Sequence, residues 1–103
     1  MGSLPVNSSV QSAQELRQVN AIVVDPRDPK SVFAAGPAGV FHSNDSGLTW
    51  QPGSEGLGTA AIVALALNPS QPDTLFAATA DGTLFRSDDG AKTWFSIDTT
   101  ASP

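Results

Sequence analysis

Ser43-Asn44-Asp45-Ser46-Gly47-Leu48-Thr49-Trp50 returns as Ser87-Asp88-Asp89-Gly90-Ala91-Lys92-Thr93-Trp94. The match extends outward from this box. Asp25-Pro26 answers Asn68-Pro69, Pro29 answers Pro72, Phe33-Ala34-Ala35 answers Phe76-Ala77-Ala78, Gly39 answers Gly82 and Phe41 answers Phe85. The spacing is about 43 residues before Gly39 and about 44 after it, so the second copy has one extra residue near Thr83. The chain is two copies of one unit, and a period of this length is typical of repeats built from four strands.

Within each unit the apolar period is two. Ile22 and Val24 alternate with Ala21 and Val23, and Leu65 and Leu67 with Ala64 and Ala66; turn chemistry follows in Asp25-Pro26-Arg27-Asp28-Pro29 and Asn68-Pro69-Ser70-Gln71-Pro72. These are first strands. Second strands are expected at 31–35 and 74–79, third strands at 40–43 and 84–87, and fourth strands at 49–52 and 93–97. Gly36-Pro37-Ala38-Gly39 and Ala80-Asp81-Gly82 make the intervening hairpin turns. The expected fold is all-β, two four-stranded antiparallel sheets, each flanked on both faces because small residues alternate with aromatic ones.

The organisation that follows is a leader over 1–18, a first unit with its connecting loop over 19–61, a second unit over 62–98 and a tail over 99–103. In the leader, Leu4-Pro5-Val6 reads as the end of a fourth strand that could be added to a neighbouring sheet. Ser12-Ala13-Gln14-Glu15 has the capping-box spacing of one helical turn. Leu16 is a candidate counterpart of Leu57, an apolar anchor ahead of the first strand. Met1-Gly2-Ser3 reads as the residue of a cloning site.

Composition narrows the partners. The chain has 103 residues, 40% of them hydrophobic, and a formal charge of −5 with only 5 Lys and Arg. It offers no basic stripe for phosphates, so neither nucleic acid nor an anionic membrane surface is an expected partner. No apolar run approaches membrane-spanning length. The absence of cysteine excludes disulfides and thiolate metal sites but leaves the compartment open.

The pattern S-x-D-x-G-x-T-W between third and fourth strands resembles the Asp-box, or bacterial neuraminidase repeat, of Asp-box β-propellers. The first copy, Ser43, Asp45, Gly47, Thr49 and Trp50, matches throughout. The second, Ser87, Asp89, Gly90, Thr93 and Trp94, departs once, with Ala91 in the glycine place and Gly90 one place earlier, which predicts a locally reshaped hairpin. The resemblance implies that each unit is a propeller blade and that these residues serve the fold. Asp45 and Asp89 would accept N–H groups inside the turn, Ser43 and Ser87 would fix its entry, Gly47 or Gly90 would take positive φ, and both tryptophans would pack over it.

Catalysis is not expected. The resemblance extends to sialidases, which need clustered arginines and a Tyr nucleophile, but this chain has no Tyr and only Arg17, Arg27 and Arg86, at unrelated places in the unit. Asp25, Asp28, Asp73, Asp81 and Asp98 stand in turn or terminal contexts where Asp is ordinary. His42, the only histidine, has no partner for metal or triad chemistry and reads as a surface or blade-interface residue. Asp88-Asp89 lacks the further oxygen ligands of a calcium loop. No cofactor and no metal are expected.

Geometry supplies the functional expectation. Two blades cannot close a ring, since propellers have about four to eight, and their outer faces would drive association with further copies of the chain. Head-to-tail closure into a trimer or tetramer is favoured. The unit would then be a non-enzymatic structural or binding scaffold, natural or engineered, with a glycan or a protein as possible ligand. The alternatives are a carbohydrate-binding lectin assembled from short chains, for which Phe95 is the one spare aromatic, and a fragment of a sialidase-like glycoside hydrolase. Photosystem II assembly factors share the blade pattern, but their basic partner sites have no match in this acidic chain.

Overall fold

The computed structural model of the chain describes residues 18–97. The strand Leu4-Pro5-Val6, the turn at Ser12 to Glu15, Leu16, Arg17, Asp98 and the tail over 99–103 lie outside the described residues. Within them the fold is all-β, in two four-stranded sheets.

The first sheet is β1 (Ala21–Val24), β2 (Val32–Gly36), β3 (Gly39–Ser43) and β4 (Gln51–Pro52); the second is β5 (Ile62–Leu67), β6 (Leu75–Thr79), β7 (Leu84–Ser87) and β8 (Phe95–Ile97). Each sheet is an up-and-down meander with strands in chain order. The fourth strands are shorter than expected because Thr49, Trp50, Thr93 and Trp94 belong to the turns: Thr49 and Thr93 bond back to Asp45 and Asp89 and not across the ladder.

Strand register assigns every side chain to a face. Phe33 lies opposite His42 and Ala35 opposite Val40, so these four share one face of the first sheet with Ala21 and Val23. Ile22, Val24, Val32, Ala34, Phe41 and Ser43 take the other face. In the second sheet Leu65, Ala77 and Phe85 are opposite one another and Leu67 pairs with Leu75, while Ala66, Phe76, Arg86 and Phe95 line the reverse face with Ala64, Ala78, Leu84 and Ile97. A β-bulge between Ile62 and Ala64 turns Ile62 inward, opposite Thr79.

The core sits where the two sheets meet. Phe33, Ala35 and Val40 from the first sheet pack with Ile62, Leu75, Ala77, Ala91 and Trp94 from the second, and Leu57 from the connecting loop caps them. Val23, Leu65, Leu67 and Phe85 border this cluster. Alanine at the strand centres keeps the sheets close, at the spacing of about 10 Å usual for stacked sheets. Asn20 Nδ2 donates to the carbonyl of Ile62 (2.8 Å) and joins the edges of the two sheets across the same junction.

Candidate functional site: the repeated turns and the outward faces

The two boxes have the same hydrogen-bond plan. In the first, Ser43 Oγ donates to Asp45 Oδ1 (2.7 Å) and accepts from the N–H of Gly47 (2.8 Å), while Asp45 Oδ1 accepts from the N–H of Thr49 (2.8 Å) and Oδ2 from the Thr49 hydroxyl. In the second, Ser87 donates to Asp89 (2.8 Å) and accepts from the N–H of Ala91 (2.9 Å), and Asp89 accepts from both the N–H (2.9 Å) and the hydroxyl of Thr93. Ser43 and Ser87 are buried, so these bonds satisfy groups that would be costly to leave unpaired.

The second hairpin is not reshaped, which corrects the expectation drawn from Ala91. Each turn needs two successive residues at positive φ: Ser46 (66°) with Gly47 (93°), and Gly90 (72°) with Ala91 (73°). Each pair contains one glycine, in a different place. Gly90 therefore answers Ser46, and Ala91 takes the place of Gly47. Alanine in this region is strained by about 1–2 kcal/mol. Its methyl is 1% exposed in the core between the sheets, and that burial offsets part of the cost.

The tryptophans also differ. Trp94 is 5% exposed, lies in the core between the sheets and donates its indole N–H to the carbonyl of Gly53 (2.7 Å). Trp50 is half-buried and packs with Ala34 and Phe41 on the outward face of the first sheet.

Hydrogen bonding holds the box carboxyls well below the ordinary range. The Thr49 hydroxyl, then its N–H, then Ser43 lower Asp45 to about 2, and the Thr93 hydroxyl and N–H lower Asp89 to about 2. A depressed folded-state pKa contributes stability that is present above the unfolded value, near 4, and lost as pH falls through the folded one. The melting temperature is therefore expected to fall between about pH 4 and pH 2, modestly, because both carboxyls are partly or fully open to solvent. An Asp45→Asn, Asp89→Asn double variant followed by circular dichroism should show a shallower fall, and an unaltered slope would refute the assignment.

The remaining sequence candidates are drawn into local turns or into the junction. Asp25 accepts from the N–H of Arg27 (2.8 Å) and pairs with its guanidinium (2.9 Å), which also reaches Asp73 in the turn between β5 and β6 (3.0 Å). Arg27 lowers the Asp25 carboxyl. Asp28 accepts from the N–H of Lys30 (3.1 Å), Asp81 from Thr79 and Thr83, and Asp88 from Arg86 (2.8 Å). His42 is stacked on Phe33 (centroids 4.2 Å apart, planes at 6°) and bonded to Ser31 Oγ (2.8 Å); burial lowers its pKa. It is a blade-interface residue. Asp25, Arg27, Asp28, His42 and Asp73 line an open groove of about 560 Å³ at the junction, together with Asp89, Gly90 and Lys92.

Both outward faces are apolar. Ile22 and Val24 on the first are 59% and 50% exposed, whereas their counterparts Leu65 and Leu67 border the core. On the second, Ala64, Ala66, Phe76, Ala78 and Leu84 line a shallow groove of about 140 Å³, Phe95 is 49% exposed, and Arg86 lies over Phe76 (5.9 Å) as His42 lies over Phe33.

Meanders of four strands, packed face to face and repeated at this period, invite comparison with solved propellers. The chain superposes on an ancestral GH74 enzyme with a TM-score of 0.69 at 19% identity, covering 81% of this chain and 13% of that one. YCF48 from Cyanidioschyzon merolae gives 0.64 at 24% identity, over 82% of this chain and 24% of that one. The fold is that of β-propeller blades.

In sequence the chain is 30% identical over 109 residues to an oligoxyloglucan-reducing end-specific xyloglucanase of Emericella nidulans, covering 91% of this chain. It is 30% identical over 98 residues to a probable enzyme of the same description from Neosartorya fischeri, covering 82%. The chain spans 14% and 12% of the length of these relatives. No protein-family model matches it. The similarity is to a propeller segment of glycoside hydrolases.

Sequence reading marked Leu57 as an apolar anchor but missed the hydrogen bonds that the loop between the blades makes. Ser54 Oγ accepts from the N–H of Val40 (2.7 Å) and donates to its carbonyl (3.0 Å), and Glu55 O accepts from the N–H of Trp94 (2.8 Å). The only signal was the pair of glycines at 53 and 56.

Proposed function

We propose that this chain is a two-blade Asp-box unit, without catalytic activity of its own, that self-associates head to tail into a closed ring of three or four copies and serves as a structural or binding scaffold. One observation carries the reading. The face that the first blade offers to the second recurs on the outward side of the second blade, and the face that receives it recurs on the outward side of the first. Phe33, Ala35, Val40 and His42 become Phe76, Ala78, Leu84 and Arg86; Leu65, Leu67, Ala77, Phe85 and Trp94 become Ile22, Val24, Ala34, Phe41 and Trp50. A surface of this kind in a head-to-tail interface generates rings when the rotation closes.

The absence of catalysis in this reading is supported by the carboxyls. Those of Asp25, Asp28, Asp45, Asp81 and Asp89 are bonded within their own turns, and in the groove between the blades Arg27 pairs with both Asp25 and Asp73. Light scattering on a sizing column, with native mass spectrometry across a range of concentrations, tests the reading. A single trimeric or tetrameric species is expected, and a well-folded monomer at every concentration would overturn it.

A second reading is favoured by the resemblance to the two xyloglucanases: these blades belong to a glycan-processing propeller and contribute to a polysaccharide-binding surface. Titration with xyloglucan oligosaccharides, alongside an assay for new reducing ends, separates the two. Binding with turnover would establish the second reading at the expense of the first.

A further inference from the structure

The two boxes differ in which member of the left-handed pair is glycine, so Gly47 stands against Ala91, and the strands that meet them differ in the opposite sense. Within the chain, Ala91 faces Gly53: a Cβ at position 53 would lie 3.0 Å from Ala91 O and 3.6 Å from Ala91 Cβ. The carbonyl sets the tight limit and would have to give by a few tenths of an ångström, and the methyl, already at contact distance, takes the space into which a branched side chain at 53 would extend. The repeat counterpart of Gly53 is Ile97. Both stand in the same place against the third strand of their blade, Gly53 N–H donating to Val40 O (2.8 Å) and Ile97 pairing with Leu84. The counterpart of Ala91 is Gly47, on the outward face of the first blade. There a Cβ would meet only the Trp50 ring, at 3.5 Å.

Bulk has thus moved from one side of the junction to the other: small strand end with alanine inside the chain, large strand end with glycine across the two outward faces. Two more residues fit the same meeting. Leu48, 79% exposed, is the counterpart of Lys92, which lines the groove beside Phe33 and His42; across the outer junction Leu48 would come to Phe76 and Arg86. Lys30 answers Asp73 and Asp88 answers Asn44, and Asp73 and Asn44 line the same groove within the chain, so opposite charges would meet across the outer junction.

We propose that Ile97 of one copy seats on Gly47 of the next, with its main-chain carbonyl accepting the Trp50 indole N–H as Gly53 accepts that of Trp94, and that this pair sets the direction and register of self-association. The inference rests on the self-association reading above. The occupant of each outward face is a second copy of this chain, offering the opposite face. Two like faces cannot meet in this way, because each would bring two bulky ends or two glycines together.

A double-mutant cycle tests it. Sedimentation and native mass spectrometry are recorded for the unaltered chain, Gly47→Ala, Ile97→Ala and the double variant, with circular dichroism on each. Gly47→Ala is expected to weaken association at least tenfold. Ile97→Ala is expected to weaken it by less, and the double variant to match Ile97→Ala alone.

A folding defect from the alanine would persist in both backgrounds, whereas a junction clash disappears when Ile97 is shortened. If the unaltered chain associates and Gly47→Ala changes nothing, or acts equally in both backgrounds, the pairing is wrong and self-association stands. If the unaltered chain is a folded monomer, the reading itself fails and the pairing with it.

Discussion

Trp94→Ala is expected to cost about 3–5 kcal/mol of folding stability, the range for deleting a large aromatic from a core. The indole is 5% exposed between Phe33, Ala35 and Val40 on one blade and Leu75 and Ala77 on the other, and its N–H satisfies the buried carbonyl of Gly53. Removing it opens a cavity at the junction and leaves that carbonyl without its donor, two losses that add. Domains of this size are stable by about 5–15 kcal/mol, so such a loss consumes much of the total. Trp50→Ala should cost the isolated chain much less, since Trp50 is half-buried in a small outward cluster. Urea unfolding followed by circular dichroism measures both. Equal losses from the two substitutions would mean that the junction between the blades is not where the stability resides.

Gly56→Ala is expected to be nearly as damaging for a different reason. Gly56 has φ of +96°, and a Cβ there would lie 2.2 Å from Trp94 O, 3.1 Å from its carbonyl carbon and 3.2 Å from its nitrogen. All three are backbone atoms, so no side-chain rotation can relieve the clash. The loop must move away from β8, which breaks the bond from Trp94 N–H to Glu55 O and uncovers Leu57. The left-handed conformation alone costs an alanine about 1–2 kcal/mol, and with the clash the total should reach roughly 3 kcal/mol or more. Gly58→Ala is the control: its φ is +71° but nothing lies within 4 Å of a new methyl, so only the conformational strain of about 1–2 kcal/mol is expected. If the two substitutions had equal effects in thermal melts, strain and not contact would govern this loop.

The strands and turns were legible because their signals are local. Period-two alternation at Ile22 to Val24 and at Leu65 to Leu67, the prolines after them and the paired boxes each report on a few consecutive residues, and the resulting meanders are those observed. The box bonds were legible too: Ser43, Asp45 and Thr49 lie within seven positions of one another and meet whenever the turn forms. Less legible was the tolerance at Ala91. A rule of glycine at positive φ predicts a changed hairpin there, whereas the turn needs only one glycine in its left-handed pair and the core accepts the methyl.

By itself, then, the amino-acid sequence determined that the chain is a tandem of two four-stranded units, where the strands and turns fall apart from the starts of the fourth strands, and which side chains tie each box. Those features depend on backbone sterics and hydrogen bonds between near neighbours. Only the tertiary structure decided which face of each sheet is covered, that Trp94 and Trp50 have unlike surroundings, that His42 stacks on Phe33, and that Gly53 and Gly56 must stay small. The reason is physical: the His42 stack and the Trp50 cluster depend on pairing across neighbouring strands, the rest on contacts between residues about 40 positions apart whose energies depend on the shape of the opposing blade, and a repeat writes nearly the same residues on both sides of every junction.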